Sequence, residues 1–477
     1  MVGRLQQSLV ALSGRALPAA VGLGSVAIYT RLLDPGSVGA YALLLSASLL
    51  ANGIGFAWLR NAALRVVSGE DDGELRPNVA ATILIAFCTT SLVLGALEGL
   101  TLHVLRPSLP ILPLCLAIGA AWASGWYDLN QALMQARLRL VSWGALNLSR
   151  ALTALVVSVS CIELGLKSDA LLIGFIAGNS AAFAFASGWA PGLRGRFDRR
   201  LFARMSRFGW PLGLKAGLEQ IAPTVQRYIV NASVGMGAVG VFVVANDFTA
   251  QVINSILGSV NLAGVTLAFR ARDVGGEAEL KRQLEQNARI IFGIAAPLAF
   301  GIVVLAKPLA SVVFGPQFQH GAETVIVIIG ISSLVGYLRV YYFDLAFELA
   351  MNTVPQPIIS MIGTAVMIGT SVLLIPHFGA NGAALSALAA TVAAFVLSAT
   401  WGRRITRLPI PVGSWMKTGL ATSGMLLVLA AFPKHGGIVE LITLGSLGAA
   451  TYVVLSLAMR FDFVRARLTG SPRMGDY

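Results

Sequence analysis

Charge is what this sequence has least of. Only 12% of its 477 residues are charged, against roughly 25% in soluble domains. It also has few residues of the kinds that build metal or nucleophile chemistry. Its three cysteines, Cys88, Cys115 and Cys161, fall inside apolar runs without ligand spacing, which excludes a cysteine metal site and leaves them as small buried hydrophobes. Its four histidines, His103, His320, His377 and His435, are scattered in the same way. No P-loop is present, so direct ATP hydrolysis is excluded, and no connection between apolar runs is long enough to fold as an enzymatic domain. The N-terminus carries Arg4 and then a long apolar stretch without an A-x-A-like cleavage site, as expected of an uncleaved first helix.

What fills the sequence instead is hydrophobic residue, 56% of the chain. It is arranged in recurring runs of about 20 residues or more, enough to cross a hydrocarbon layer as helix. The expected fold is therefore an all-α integral membrane protein of about 14 transmembrane helices, the first near 8–30 and the last near 437–459. Short turns such as DPGS at 34–37 and GPQF at 315–318 separate the runs, where Pro and Gly stop a helix.

A net charge of +13 invites a nucleic acid reading, but the basic residues sit in short connections between spans rather than along a groove. With the N-terminus inside, 25 of the 35 lysines and arginines fall in or beside cytoplasmic connections. Arg31, Arg106, Lys167, Lys307 and Lys434 fall outside. This is the asymmetry of the positive-inside rule, with both termini cytoplasmic and no role for nucleic acid. Trp58, Trp189, Trp210, Trp401 and Trp415 lie near span ends, as interfacial anchors do, whereas Trp122 and Trp126 lie deeper, where packing outweighs stacking on sugar rings.

The chain looks written twice. YDLNQALMQA from Tyr127 matches FDLAFELAMN from Phe343 at an offset of 216, and Val38-Gly39-Ala40-Tyr41 matches Val239-Gly240-Val241-Phe242 at an offset of 201. A third pair, around Gly165 and Gly379, is offset by 214. Six spans in each copy make parallel repeats about an axis along the membrane normal. The expected organisation is an N-lobe of six helices over 1–190, a basic cytoplasmic linker over 191–206, a C-lobe of six helices over 207–402, and two further helices with a cytoplasmic tail over 403–477.

Two segments carry a family resemblance. TRLLDPGSVGAYALLLSASLLANGI from Thr30 resembles the first helix hairpin of polysaccharide flippases of the multidrug, oligosaccharidyl-lipid and polysaccharide exporter superfamily, the Wzx-like branch. FGANGAALSALAATVAAF from Phe378 resembles the start of the twelfth helix in the same family. The resemblance implies two pseudo-symmetric six-helix lobes in a V around a central cavity. It also implies flipping of an undecaprenyl-diphosphate-linked oligosaccharide, by alternating access, from the cytoplasmic to the outer leaflet of the bacterial inner membrane, for O-antigen, exopolysaccharide or capsule.

Five basic residues fall within the spans: Arg15, Arg150, Lys215, Arg227 and Arg339. A charge at the centre of a helix costs about 2.5–3.5 kcal/mol on insertion scales, so such residues face water or a partner. Arg15, Lys215, Arg227 and Arg339, with Arg60 at a span end, are the expected cationic cavity for a diphosphate. Bland alternatives stand beside each. Lys215 and Glu219 are four apart and can simply pair, Arg227 can snorkel, and Arg150 has Asn147 and Ser149 as packing neighbours.

Asp344 and Glu348 share a helical face with like charge, which makes them candidates for ion coupling unless Arg339 neutralises them; Asp128 and Asp247 are the other candidates. The expected partners are lipid-linked oligosaccharide, membrane lipids, H+ or Na+ as coupling ion, and the polysaccharide polymerase machinery. No cofactor is called for. An ion-coupled drug or cation antiporter of the same superfamily and a membrane-embedded polysaccharide polymerase are the competing functions. The first should favour acidic cavity residues, and the second needs a large outer loop that the sequence lacks.

Overall fold

The structure, a computed structural model, describes residues 2–68, 75–105, 110–137, 139–350, 352, 354–406 and 408–459; the side chains of residues 2–16 and of a few later positions, His103 among them, are outside it. Its elements in chain order are α1 (Val2–Leu32), α2 (Pro35–Gly55), α3 (Ala57–Val67), α4 (Pro77–Leu105), α5 (Ile111–Ala136), α6 (Leu140–Glu163), α7 (Ser168–Ser180), a 3-10 stretch Ala181–Arg194, α8 (Arg199–Ser233), α9 (Met236–Val304), α10 (Ala306–Val313), α11 (Pro316–Leu338), a π-helical turn Arg339–Phe343, α12 (Leu345–Leu349), α13 (Pro355–Ile405), α14 (Val412–Ala430) and α15 (Ile438–Ala458). No strand occurs among the described residues. Helix leaves no unpaired backbone for lipid to meet, so an all-helical chain is what the apolar composition requires.

Among the described residues, eight helices are long and apolar enough to cross a membrane, or nine if the bent pair Ser168–Ala184 and Gly188–Arg194 is one span. α8 is as long but carries Lys215, Glu219 and Arg227 and is not among the eight. α13, at 51 residues, is one of the eight. That rod is two helices, broken at Gly379, where φ is 57°. α9 is broken in the same way at Gly276, where φ is 69°. Gly165, the repeat partner of Gly379, also has a positive φ, 87°. A side chain at any of the three would be strained, which is why glycine marks both copies.

The chain divides into two compact units, Met1–Gly240 and Val241–Tyr477. In the first, α1 lies on α6, α6 on α7, and α8 on α2 and α3. The start of α2 is fixed by Asp34, whose carboxylate accepts from the Ser37 amide at 3.0 Å, with Pro35 in the first turn. Where α2 meets the first residues of α9, glycine is obligatory. A Cβ on Gly39 would stand 1.9 Å from the Met236 carbonyl oxygen, and one on Gly240 would stand 2.0 Å from that of Pro35. All four residues lie in the first unit, where α2 and the start of α9 meet backbone to backbone.

The core of the first unit is aromatic. Phe87 sits 5.2 Å from Phe56 and 5.5 Å from Trp126, centroid to centroid. Trp126 is buried, in keeping with packing, but Trp189 is buried too and donates to Asn130 Oδ1 at 3.2 Å. It is a core residue rather than the interfacial anchor expected from its position. Cys88 and Cys115 also depart from expectation: both are exposed on apolar helix surfaces. In the second unit α11 packs on α13 and α14 on α15, and the Trp415 indole donates to the Ala288 carbonyl at 3.3 Å.

Candidate substrate and ion sites

A polar cluster of the first unit forms where α2, α3, α5 and α6 converge. Asp128 of α5 faces Arg60 of α3 at 4.0 Å and the Asn52 amide of α2 at 3.5 Å. Arg150 of α6 lies with its guanidinium 4.6 Å from the centre of the neighbouring Tyr127 ring. The Tyr127 hydroxyl donates to Asn147 Oδ1 at 2.7 Å, and Gln131 donates to both. Arg150 thus packs on an aromatic ring beside a hydrogen-bonded network, and its charge also acts on Asp128.

The expected residues of α8 fall elsewhere. Lys215 and Glu219 stand 3.8 Å apart with about half of each side chain exposed. They form the ordinary helical pair, weak because water screens it. Arg227 is half-buried in the same helix. Arg15, first among the sequence candidates, has its side chain outside the described residues.

In the second unit the acid of the repeated motif finds a different partner. Arg339 Nε is 3.4 Å from Asp344 Oδ2, and the Ser398 hydroxyl donates to the other carboxylate oxygen. These residues are five apart, a spacing that would put them on different sides of an ordinary helix. The π turn removes the difference: the Asp344 amide donates to the Arg339 carbonyl at 2.8 Å, closing the wider loop on the same two residues. The neutralising alternative raised from the sequence is the arrangement present, and Glu348 is exposed rather than facing Asp344 across a dry cleft. Asp247 is exposed as well and accepts from Asn246 at 2.8 Å.

Two features were missed by sequence reasoning. One is Glu98, a buried acid in α4. It was legible only as the single acid of an apolar run. The other is a 620 Å³ cavity in the second unit between the later half of α9 and helices α14 and α15. It is walled by Ile294, Pro297, Met425, Leu429 and Leu444, with Gly445 and Gly448 thinning one side. Tyr452 closes part of it, its hydroxyl donating to the Gly293 carbonyl at 2.6 Å. No one helix signals such a cavity, since it exists only in the spacing among three.

The fold and these sites define a multispanning helical membrane protein built on a transporter scaffold. The chain belongs to the polysaccharide biosynthesis protein family, whose sequence profile matches residues 28–323. Among solved structures it is similar to the inward closed conformation of the lipid II flippase MurJ, with a TM-score of 0.76 at 15% identity, covering 97% of this chain and 100% of that one. It is also similar to an inward-facing multidrug resistance MATE family transporter of the MOP superfamily, with a TM-score of 0.61 at 17% identity, covering 84% of this chain and 98% of that one. An outward-facing MATE conformation matches with a TM-score of 0.54 at 15% identity over 85% of this chain and 95% of that one. Curated protein sequences give no match. The structures similar to this chain are flippases and transporters rather than enzymes.

Proposed function

We propose that this protein flips an undecaprenyl-diphosphate-linked oligosaccharide from the cytoplasmic to the outer leaflet of the bacterial inner membrane, by alternating access, for surface polysaccharide synthesis. The observation that carries this reading is the 620 Å³ cavity walled by α9, α14 and α15. A drug needs one amphipathic chamber, whereas a lipid-linked sugar needs room for an aliphatic tail as well as a polar site for its head. The α14–α15 cavity, lined almost wholly by aliphatic side chains and glycines, has the chemistry of the tail site. For the head, Arg15 and Arg227 of the first unit supply guanidinium forks suited to diphosphate oxygens, and Arg60 and Lys215, which are partly exposed, would have to exchange Asp128 and Glu219 for the substrate. Arg339 is committed to Asp344. Both the flippase likeness over nearly the whole chain and the family membership agree with this choice over a drug or cation antiporter or a polymerase.

Gly445 offers the direct test, because a side chain added there meets nothing within 4 Å and so fills the cavity without striking the backbone. Gly445→Phe should leave the purified protein folded and reduce flipping of a labelled polyprenyl-diphosphate oligosaccharide in vesicles at least tenfold. Unchanged flipping would remove the cavity from the tail site. In cells, depletion should cause a lipid-linked oligosaccharide to accumulate on the cytoplasmic leaflet. Accumulation of no such lipid would defeat the function itself.

A further inference from the structure

Helix α4 is built inside out. Leu92, Val93, Leu97 and Leu100 are 68%, 58%, 55% and 62% exposed, while Glu98 among them is 7% exposed. In a membrane helix the exposed aliphatic side meets lipid, so this carboxyl is held against protein and away from water. Neither of its oxygens has a hydrogen-bond partner. The one polar side chain that acts on it is Ser48 of α2. That hydroxyl already gives its proton to the carbonyls of Leu44 and Ala117, at 3.0 and 2.8 Å. A hydroxyl so engaged can accept from a neutral carboxylic acid, and at most one such bond is on offer to a carboxylate.

The elements packed against α4 bring no compensating charge. α5 presents Ile118 and Trp122 to Gly95 and Gly99 of α4, one turn before and beside Glu98. Of the charges these neighbours carry, Arg60 of α3 pairs with Asp128 of α5, Arg65 lies over the Phe208 ring and Lys215 of α8 pairs with Glu219; Arg199, Arg200, Arg204, Arg207 and Arg227 are the other cations of α8, and none of them acts on Glu98. Arg194 of the 3-10 stretch is exposed, and Tyr41 is the titratable group of α2. Among the described residues no charged group acts on Glu98. An ionised carboxyl left alone in such a place is costly enough that the group takes up a proton instead. A metal cation would need several ligands, and no cluster of three or more metal-ligating side chains occurs among the described residues.

We propose that Glu98 is a proton-binding site of the first unit, neutral while α2 and α4 are closed upon each other and releasing its proton to water, as a carboxylate, only when that seam opens. Asn52, one turn along α2 from Ser48, contacts Asp128, so the buried polar side of α2 runs from this site to the Asp128–Arg60 pair. The proposal rests on membrane burial and not on the identity of the substrate.

Infrared spectra of the full-length protein in lipid nanodiscs at neutral pH test it without any transport assay. The carbonyl stretch of a protonated carboxylic acid should be present, disappear in Glu98→Gln and persist in Glu98→Asp. A spectrum unchanged by Glu98→Gln would mean that Glu98 is ionised, and the proposal would fall. Should Glu98→Gln not fold, the wild type can be treated with a hydrophobic carbodiimide, which attacks protonated carboxyls, and mapped by peptide mass. An adduct on Glu98 at neutral pH is expected, and an unmodified Glu98 peptide would overturn the site. Failure here leaves the flippase reading untouched, since neither readout depends on a transported lipid.

Discussion

Asp128 and Asp344 occupy the same place in the two copies of the repeated motif, yet they are neutralised by different routes. In the first unit the cation comes from another helix: Arg60 of α3, 4.0 Å away, assisted by Asn52 of α2. In the second it comes from the same helix, Arg339, brought to 3.4 Å by a π turn. What the two copies share is the need of an acid inside a membrane helix for a cation. The route is free to differ, because burial fixes the energy and not the donor. The pairs also differ in exposure: the side chains of Arg339 and Asp344 are 21% and 14% exposed, those of Arg60 and Asp128 43% and 25%. The second should therefore be the more costly to break.

The largest effect is expected at the backbone contact of α2 with the start of α9, inside the first unit. Gly240→Leu drives a side chain into the Pro35 carbonyl, so the purified protein should lose its folded form in a thermal denaturation assay, and Gly39→Leu should do the same through Met236. Wild-type melting in either variant would refute the close approach. Next, Arg339→Ala should lower stability by about 3 kcal/mol, with Arg339→Ala/Asp344→Asn recovering much of the loss, because the cost is that of an orphaned charge. A simple deletion sharpens the same point. Removing Val340 turns the wide π turn into ordinary helix with Arg339 and Asp344 four apart, the spacing of a helical ion pair, so it should cost much less than Arg339→Ala. Arg60→Ala should cost about 1 kcal/mol or less, since that pair is partly solvated and Asn52 remains; a loss as large as at Arg339 would erase the distinction.

The smallest effect concerns how each copy starts its helix. α2 begins on the Asp34 cap, whereas α9 begins after Gly235, with φ at 112° and no carboxylate. Hydrogen bonding from Ser37 holds the Asp34 carboxyl below the usual value. A carboxyl depressed in the folded state adds stability at neutral pH that is lost as pH falls through its folded value. Asp34→Ala should cost about 1 kcal/mol near neutrality, with the difference from wild type shrinking on acidification. A constant difference across pH would show that the cap does not act through its charge.

Much of this was open to inspection in the sequence. The Asp34–Pro35 helix start, the Lys215–Glu219 pair and the glycines of the repeats are local, and local spacing determines them. The Arg339–Asp344 pair was visible as a possibility, but five residues of ordinary helix would have separated it, and nothing in RVYYF announces a π turn. The Trp189–Asn130 and Asn52–Asp128 contacts join residues 59 and 76 positions apart, beyond the reach of any periodicity.

By itself the sequence determined the solvent in which this protein folds. A chain with 56% hydrophobic and 12% charged residues must surround itself with lipid, as helix. Only the tertiary structure decided which of its few charges are spent on one another and which are left alone. The reason is that membrane insertion sees each helix by its average hydropathy, whereas the cost of a charge depends on the atoms within a few ångströms. Many of those atoms belong to other helices, as Arg60 does for Asp128. Glu98 and Asp128 look alike on the page, and packing gives one of them a cation and the other none.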